Sequence, residues 1–596
     1  MGRGPDFVER AAKQSFIQGA VILTGSTLLV KAIGALFKVP LMNILGGTGM
    51  AYFMTAYEVF NPIYALSVAG FPAAVSRLVS EYTARGRQRD ARRTLKIASA
   101  LFLAVGAVGF ALLYFGGKVF CRAVGNPDAA LAVQMLSPAL VFGCLSAAVR
   151  GYYQGCQNMV PTAISQVVEA VAKLVLGIAL SYGTFVWAME GYARTGLVFG
   201  RAAASAAQAK QLALPYAAAG AVLGVALSTG VSMLYLFCQH KFGRHALPVK
   251  SAQGSARPAS ARHIARRLVQ IALPICLGSF ATSLTSVIDL FSVMNALERA
   301  AGRGADIICA MYGLQMSAAD LPTFLYGCYT GMATTLYNLV PALTTTFGVS
   351  ALPAVTAAYV GGDRRQLAQN AQSVFRVSAM MAVPAGLGIA AMARPILHLL
   401  YGGRQQEIAA VAPTLTVLGA AAVLLAFTTP VYSMLQAIGR ADLPLKLMVV
   451  GGAIKLACNL VLVRDPRYNL LGASFGTLCC YLFIVIGAVA LFLRQVGAPV
   501  HFWRAVLGPA FSGLICAVSA RTAYSLLCHV FVSNISCVLG IAVGCGCYLL
   551  ALLGTGSVQE EDLLALPGGQ KLAAKLHRWG LLGSASKRAA HRPKAV

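Results

Sequence analysis

Long stretches without Asp, Glu, Lys or Arg dominate the chain: 97–117, 129–149, 211–240, 268–288, 408–439, 468–493 and 522–559. Each is long enough to cross roughly 30 Å of hydrocarbon as a helix, which takes about 20 residues. The hydropathy pattern predicts fourteen helical spans, near 16–40, 48–80, 94–116, 129–152, 160–185, 213–238, 266–295, 321–358, 372–395, 409–437, 442–463, 469–493, 503–526 and 533–554. The eighth lies in an uncharged stretch that holds Pro322, Pro341 and Pro353, so it reads as one long broken helix or as two spans. The expected fold is an all-α polytopic membrane protein.

Composition agrees. Of 596 residues, 58% are hydrophobic and 11% charged, whereas soluble domains run about 45–50% apolar and about 25% charged. The net charge of +29 would suit a nucleic-acid binder, but Lys and Arg sit in short clusters between apolar spans, which is the pattern of topology bias. No nucleic-acid partner is expected. The 15 cysteines are mostly scattered in apolar spans without CxxC pairs or His at ligand spacing, so neither a disulfide framework nor a metal site is expected. The first fifteen residues are polar and mixed in charge, unlike a cleavable signal peptide.

With the N-terminus inside, the cytoplasmic loops carry 28 Lys and Arg and the opposite face 10, which predicts that both termini are cytoplasmic and that the number of spans is even. The positive, Ala-rich segment 187–212 falls on the outer face and is expected to be a helix lying at the interface. Ten basic residues fall within or beside spans: Lys31, Lys38, Arg77, Arg150, Lys173, Arg376, Arg394, Lys446, Lys455 and Arg521. Arg376, Arg394 and Arg521 are expected to snorkel. Lys31, Lys38, Lys173 and Lys455 lie deeper and need water or a partner.

An internal repeat organises the chain. Tyr153-Gln154-Gly155, Pro161 and Lys173 correspond to Leu435-Gln436-Ala437, Pro444 and Lys455, with an offset of 282 between Lys173 and Lys455. Phe71-Pro72-Ala73 likewise matches Leu352-Pro353-Ala354. Parallel repeats of this kind mark transporter architecture. The expected organisation is a six-helix bundle over 1–238, a cytoplasmic linker over 239–265, a second six-helix bundle over 266–463, two extra helices within 464–555 and a basic tail over 556–596. Pro72 and Pro353 are candidate gating positions, because a helix interrupted by Gly or Pro can bend.

Lys31 and Lys38 are two turns apart on one helix face, Glu58 lies in the next span, and Asp289 lies in the seventh. Glu169 and Lys173 have the i,i+4 spacing of a helical ion pair. Two readings stay open. The lysines bind an anionic headgroup in a wet cavity, with Glu58, Glu169 or Asp289 pairing them or carrying a coupling proton or Na⁺; or the same groups are ion pairs that staple helices.

Particular strings resemble a known family. Lys31-Ala-Ile-Gly-Ala-Leu-Phe-Lys38-Val-Pro40, Ala56-Tyr57-Glu58 and Gly70-Phe-Pro72 through Arg77 and Glu81 are similar to the first two helices of the stage V sporulation protein B family. Pro161 through Glu169 and Lys173 resembles its fifth helix, and Leu443 through Lys455, Asn459 and Gly472 its eleventh and twelfth. That family is the polysaccharide-transporter branch of the MOP (MATE-like) superfamily and is related to the MurJ-type lipid II flippases. The resemblance implies fourteen helices, a cationic central cavity and translocation of a lipid-linked (undecaprenyl-pyrophosphate) cell-wall saccharide, such as a peptidoglycan precursor in spore cortex synthesis. Lys31 and Lys38 match the important basic spacing of the first helix, as Lys where Arg is common. A further basic position on the second helix is missing, and Tyr64 lies near it.

The alternatives are a cation-coupled drug exporter of the same superfamily, a membrane enzyme acting on the same lipid, and a non-transporting cell-wall scaffold. HExxH, Gly-x4-Gly-Lys-Ser/Thr and GxSxG are absent from the sequence, so no enzyme chemistry and no nucleotide cofactor are expected. Energy then comes from membrane potential, from H⁺ or Na⁺, or from consumption of the product. Cell-wall synthases are the expected protein partners.

Overall fold

The chain, as a computed structural model, is described over residues 16–242, 259–440, 442–497 and 502–556. The N-terminal basic residues Arg3, Arg10 and Lys13, residues 243–258 of the expected linker and residues 557–596 of the expected tail lie outside the described residues. Within them, the architecture is helix after helix. A bilayer leaves backbone polar groups no water to bond, and a helix satisfies them within the segment.

The helices run in order α1 (Phe16–Val68), α2 (Phe71–Ala84), α3 (Gln88–Ala123), α4 (Ala130–Leu136), α5 (Pro138–Gly155), α6 (Val160–Thr195), α7 (Ala206–Phe242) and α8 (Ala261–Tyr312). The expected eighth span is a broken helix: α9 (Leu321–Cys328), a π-helical turn at Tyr329–Ala333, α10 (Thr334–Tyr337) and α11 (Leu339–Val360). Then follow α12 (Arg364–Ala391), α13 (Ala393–Tyr401), α14 (Gln405–Ala437), α15 (Asp442–Cys458) with a π-turn at Asn459–Val463, α16 (Asn469–Val496), α17 (Phe502–Leu527) and α18 (Ser533–Gly554). Among the described residues, eleven helical stretches are long and apolar enough to cross a membrane. The first of these, Gly25–Ala84, covers two of the fourteen expected spans.

Gly46 is what divides that first stretch. Its φ of 64° with ψ of −172° breaks α1, a conformation that costs a residue with a Cβ but not glycine. The two expected spans therefore meet at a single residue rather than across a loop.

The segment 187–212 differs from expectation. It is not a separate interfacial helix: α6 continues to Thr195 and α7 starts at Ala206, joined by a small antiparallel hairpin that pairs Leu197 with Ala202 and Val198 with Arg201. Phe199 and Gly200 at its tip have φ of 47° and 83°, as a two-residue turn with the twist of the strands requires. Buried Ala188, Val198, Ala209 and Ala213 form its core, and Phe199 packs on Tyr216 with ring centroids 4.2 Å apart. Apolar contacts of this kind favour folding back over spreading on a surface.

The described residues form two compact units. Unit 1 holds the chain to Cys309 and Leu314–Met332; unit 2 holds Ala310–Gly313 and the chain from Ala333. In unit 1, a core joins Val68, Phe71, Leu78, Phe102, Cys144 and Leu268, and Phe71 stacks on Phe102 at 3.7 Å between centroids. In unit 2, α17 and α18 pack on α12 and α13: Ala520 and Cys537 bury against Met392, and the Tyr548 hydroxyl donates to the Met380 carbonyl at 2.6 Å. Large apolar side chains such as Phe115 (74% exposed) and Leu550 (72%) point away from the units, as lipid-facing surface does.

Close helix contact fixes the scaffold of unit 1. A Cβ at Gly224 on α7 would stand 2.5 Å from the Gly177 backbone on α6, so backbone meets backbone there, as small residues allow in membranes. Gly224→Val should therefore lower the stability of the purified protein by about 1–3 kcal/mol or more. Gly34→Ala, where a Cβ meets nothing within 4 Å, should leave it unchanged; thermal unfolding in detergent checks both.

Candidate functional site: a lysine cluster in unit 1

The first helix brings Lys31 and Lys38 to one face, with Lys31 exposed and Lys38 half-buried. Lys38 is close enough to Lys173 and to Glu58 to interact electrostatically with both. Three of the expected site residues, contributed by both halves of α1 and by α6, therefore share one neighbourhood. The aromatic rings between them form a ladder. Phe37, Phe53, Tyr57, Phe60 and Tyr64 follow one another with centroid separations of 5.9, 4.9, 6.4 and 5.1 Å.

Lys173 sits on that ladder. Its Nζ lies 4.9 Å from the centroid of the Tyr57 ring and 5.3 Å from that of Phe37. Cation–π attraction of this kind contributes about 0.5–2 kcal/mol, more where water is excluded. The Tyr57 hydroxyl is buried and has no hydrogen-bond partner among the described residues.

The i,i+4 pair expected between Glu169 and Lys173 is not made. The Glu169 carboxylate instead accepts from Arg150 Nη2 at 2.7 Å and from the Thr229 hydroxyl at 3.3 Å. Arg150 also donates from Nε to Ser165 Oγ at 2.9 Å and from Nη2 to Ser232 Oγ at 2.9 Å. The guanidinium fork finds three acceptors contributed by α6 and α7, a geometry that an ammonium cannot match. Helical spacing permitted the Lys173 pair without requiring it. Arg150 is the residue that sequence reasoning passed over; Ser165 and Glu169 at i,i+4, with Thr229 and Ser232 at i,i+3, were the signal that a polar seam needed a cation.

The other candidates fall elsewhere. Glu58 and Asp289 are both electrostatic neighbours of Tyr326 in unit 1. Lys455 belongs to unit 2, one turn before the buried Asn459 in a π-turn. Pro72 stands in the first turn of α2, just past the break at Gly70. Pro353 lies within the helix Leu339–Val360, and the interruptions of that span come earlier, at the π-turn and Asn338. Of the arginines expected to snorkel, Arg376 is instead buried, 8% exposed, with Nη2 3.4 Å from Ser373 Oγ.

Near the ends of α2 and α8, Arg267 grips Glu81 with both nitrogens at 3.1 and 2.9 Å, and Asp90 caps the start of α8 by accepting from Ala259 N at 3.0 Å. At the α2 break, the Gly70 N–H donates to Cys276 Sγ at 3.3 Å. Among the described residues no group of three or more His, Cys, Asp or Glu side chains is placed to hold a metal ion.

Comparison with known proteins gives the class. The fold is similar to a multidrug-resistance MATE transporter of the MOP superfamily in its inward-facing conformation (TM-score 0.60, 14% identity, 80% of this chain and 98% of that one). It is equally similar to the lipid II flippase MurJ in an inward closed conformation (TM-score 0.60, 13% identity, 89% and 98%). In sequence, the chain is 25% identical to the lipid II flippase MurJ of Bacillus subtilis (strain 168) over 490 residues, 81% of this chain and 83% of that protein. It is 22% identical to stage V sporulation protein B of the same organism over 562 residues, 93% and 98%. Residues 16–207 match the family described as polysaccharide biosynthesis protein.

This is an all-α, multi-pass membrane protein of the transporter and flippase class. Its fold is the one seen in the MATE and MurJ structures, and over residues 16–207 its sequence matches the polysaccharide biosynthesis protein family.

The Gly70–Cys276 bond offers a stability test at the α2 break. Cys276→Ala removes the acceptor and leaves a buried N–H unsatisfied, at a cost of about 1 kcal/mol or more. Cys276→Ser keeps an acceptor and should melt closer to the parent, as differential scanning fluorimetry would report.

Proposed function

We propose that the protein is a flippase that moves an undecaprenyl-pyrophosphate-linked cell-wall saccharide, such as lipid II, from the inner to the outer leaflet by alternating access. The observation that carries this reading is the convergence of Lys38 and Lys173 beside a buried, unpartnered Tyr57 hydroxyl. Two ammonium groups and a phenol suit a pyrophosphate: point charges for the oxygens and a directional donor. The lipid tail stays in the bilayer while the headgroup crosses. Lys31, exposed two turns nearer the N-terminal end of the same helix, extends the cationic track, and in the sequence repeat Lys455 is the counterpart of Lys173. The names of the relatives, a lipid II flippase and a sporulation protein, support the substrate class and a role in sporulation.

With both termini cytoplasmic, as the loop charges favour, the headgroup leaves an interior that is electrically negative. At about 2.3 kcal/mol per charge per 100 mV, a doubly charged pyrophosphate gains several kcal/mol on moving outward. Glu58 and Asp289 are then the groups to carry any coupling H⁺ or Na⁺. A drug exporter of the same superfamily would want an acidic site for its cations; the lysine pair argues for an anion instead.

Translocation of a labelled lipid II analogue across sealed proteoliposomes tests the proposal. The parent should flip it, faster when the compartment on the cytoplasmic face of the protein is negative, and Lys31→Ala/Lys38→Ala should reduce the rate at least tenfold with the fold intact. Absence of flipping by the parent rejects lipid II as substrate, and a rate unchanged in the double variant rejects the lysine site.

A further inference from the structure

We infer that Arg150 is a positioning residue for anion binding: it holds the Glu169 carboxylate away from Lys173, so that the lysine pair keeps its positive charge for the substrate. The inference rests on the reading of Lys38 and Lys173 as an anion site and adds a residue on neither of their helices.

Glu169 is four residues before Lys173 on α6, and a carboxylate at that spacing reaches an ammonium readily. A Glu169–Lys173 pair would neutralise one of two cations and offer a phosphate a competing anion at hydrogen-bond range. The structure shows the carboxylate turned the other way. Both of its oxygens are engaged, one by Arg150 at 2.7 Å and one by Thr229 at 3.3 Å. Arg150 cannot follow the carboxylate back, because Ser165 accepts from its Nε and Ser232 from the same Nη2, at 2.9 Å each, and Ser232 itself donates to the Ser165 carbonyl at 3.0 Å. The side chains are 15% and 27% exposed, little enough for the pair to resist screening. Lys173 meanwhile rests on Tyr57 and Phe37, partners that stabilise its charge without cancelling it.

The same arrangement places a third cation beside the aromatic ladder. Tyr64 at its end interacts electrostatically with both Arg150 and Glu169, so the α5 arginine stands near the position where the sequence lacks a basic residue. Held by Glu169, its charge is compensated, and its task is to restrain rather than to bind.

The experiment is binding of undecaprenyl pyrophosphate to the full chain in nanodiscs, across Arg150→Gln, Glu169→Gln, the double variant and Lys38→Ala. Releasing Glu169 onto Lys173 should weaken binding at least tenfold in Arg150→Gln. Glu169→Gln, which keeps an acceptor for Arg150 but loses the competing charge, should bind within threefold of the parent. The double variant should recover to within threefold, although it has lost the same ion pair between α5 and α6. A purely structural role for Arg150 predicts the opposite, a double variant as weak as Arg150→Gln, and that result overturns the inference. Should Arg150→Gln not fold, Arg150→Lys with and without Glu169→Gln carries the same comparison, with a smaller loss and the same rescue. Lys38→Ala separates the two levels: weakened binding there, without rescue in the double variant, defeats the Arg150 inference alone, whereas unchanged binding defeats the lysine site beneath it.

Discussion

A lysine inside a membrane-spanning bundle is costly, and that cost organises unit 1. An ammonium taken from water needs compensation from charge, from dipoles or from aromatic faces. A full counter-ion would be the simplest remedy but would also abolish any use for the charge. Here Lys173 has rings rather than a carboxylate against it, while the nearest carboxylate on its own helix is committed to Arg150. The helix contacts around the site serve this arrangement. Gly177 and Gly224 let α6 and α7 approach backbone to backbone, which brings Thr229 and Ser232 within reach of the Arg150–Glu169 pair. The break at Gly46 folds α1 back on itself, so that Phe37 meets Phe53 and, with Tyr57, flanks the Lys173 ammonium.

How much of this was legible in the sequence follows from the range of each interaction. Helical spans are written in local hydropathy, and the uncharged stretches 97–117 and 469–493 fall in helices α3 and α16. Lys38, Lys173 and Glu58 could be singled out because charge is conspicuous in an apolar span, and the fold brings these three together. What could not be read was which partner each would choose. The i,i+4 rule speaks only of one helix, and Glu169 was taken by an arginine nineteen residues earlier on another. The hairpin at 197–202 was missed for a related reason: its composition is that of an amphipathic surface segment, and only the Phe199-Gly200 tip marks the turn. Arg376 was expected at an interface because it lies near the start of a span, yet neighbouring helices bury it.

The flippase reading asks little of the protein beyond charge placement. No bond is made or broken, so the work lies in removing a pyrophosphate from water, holding it in a medium where lysines act strongly, and releasing it on the other side. An overly favourable site would trap the headgroup. Two lysines, Lys173 resting on aromatic rings, with the Glu169 carboxylate close by but restrained by Arg150, give attraction that is strong yet reversible.

The most direct measurement is an experimental structure of the chain with an undecaprenyl-pyrophosphate saccharide bound. The account predicts the pyrophosphate within hydrogen-bond distance of Lys38 and Lys173, with Glu169 still paired to Arg150. A headgroup bound away from both lysines, or seated there with Glu169 transferred to Lys173, would contradict it.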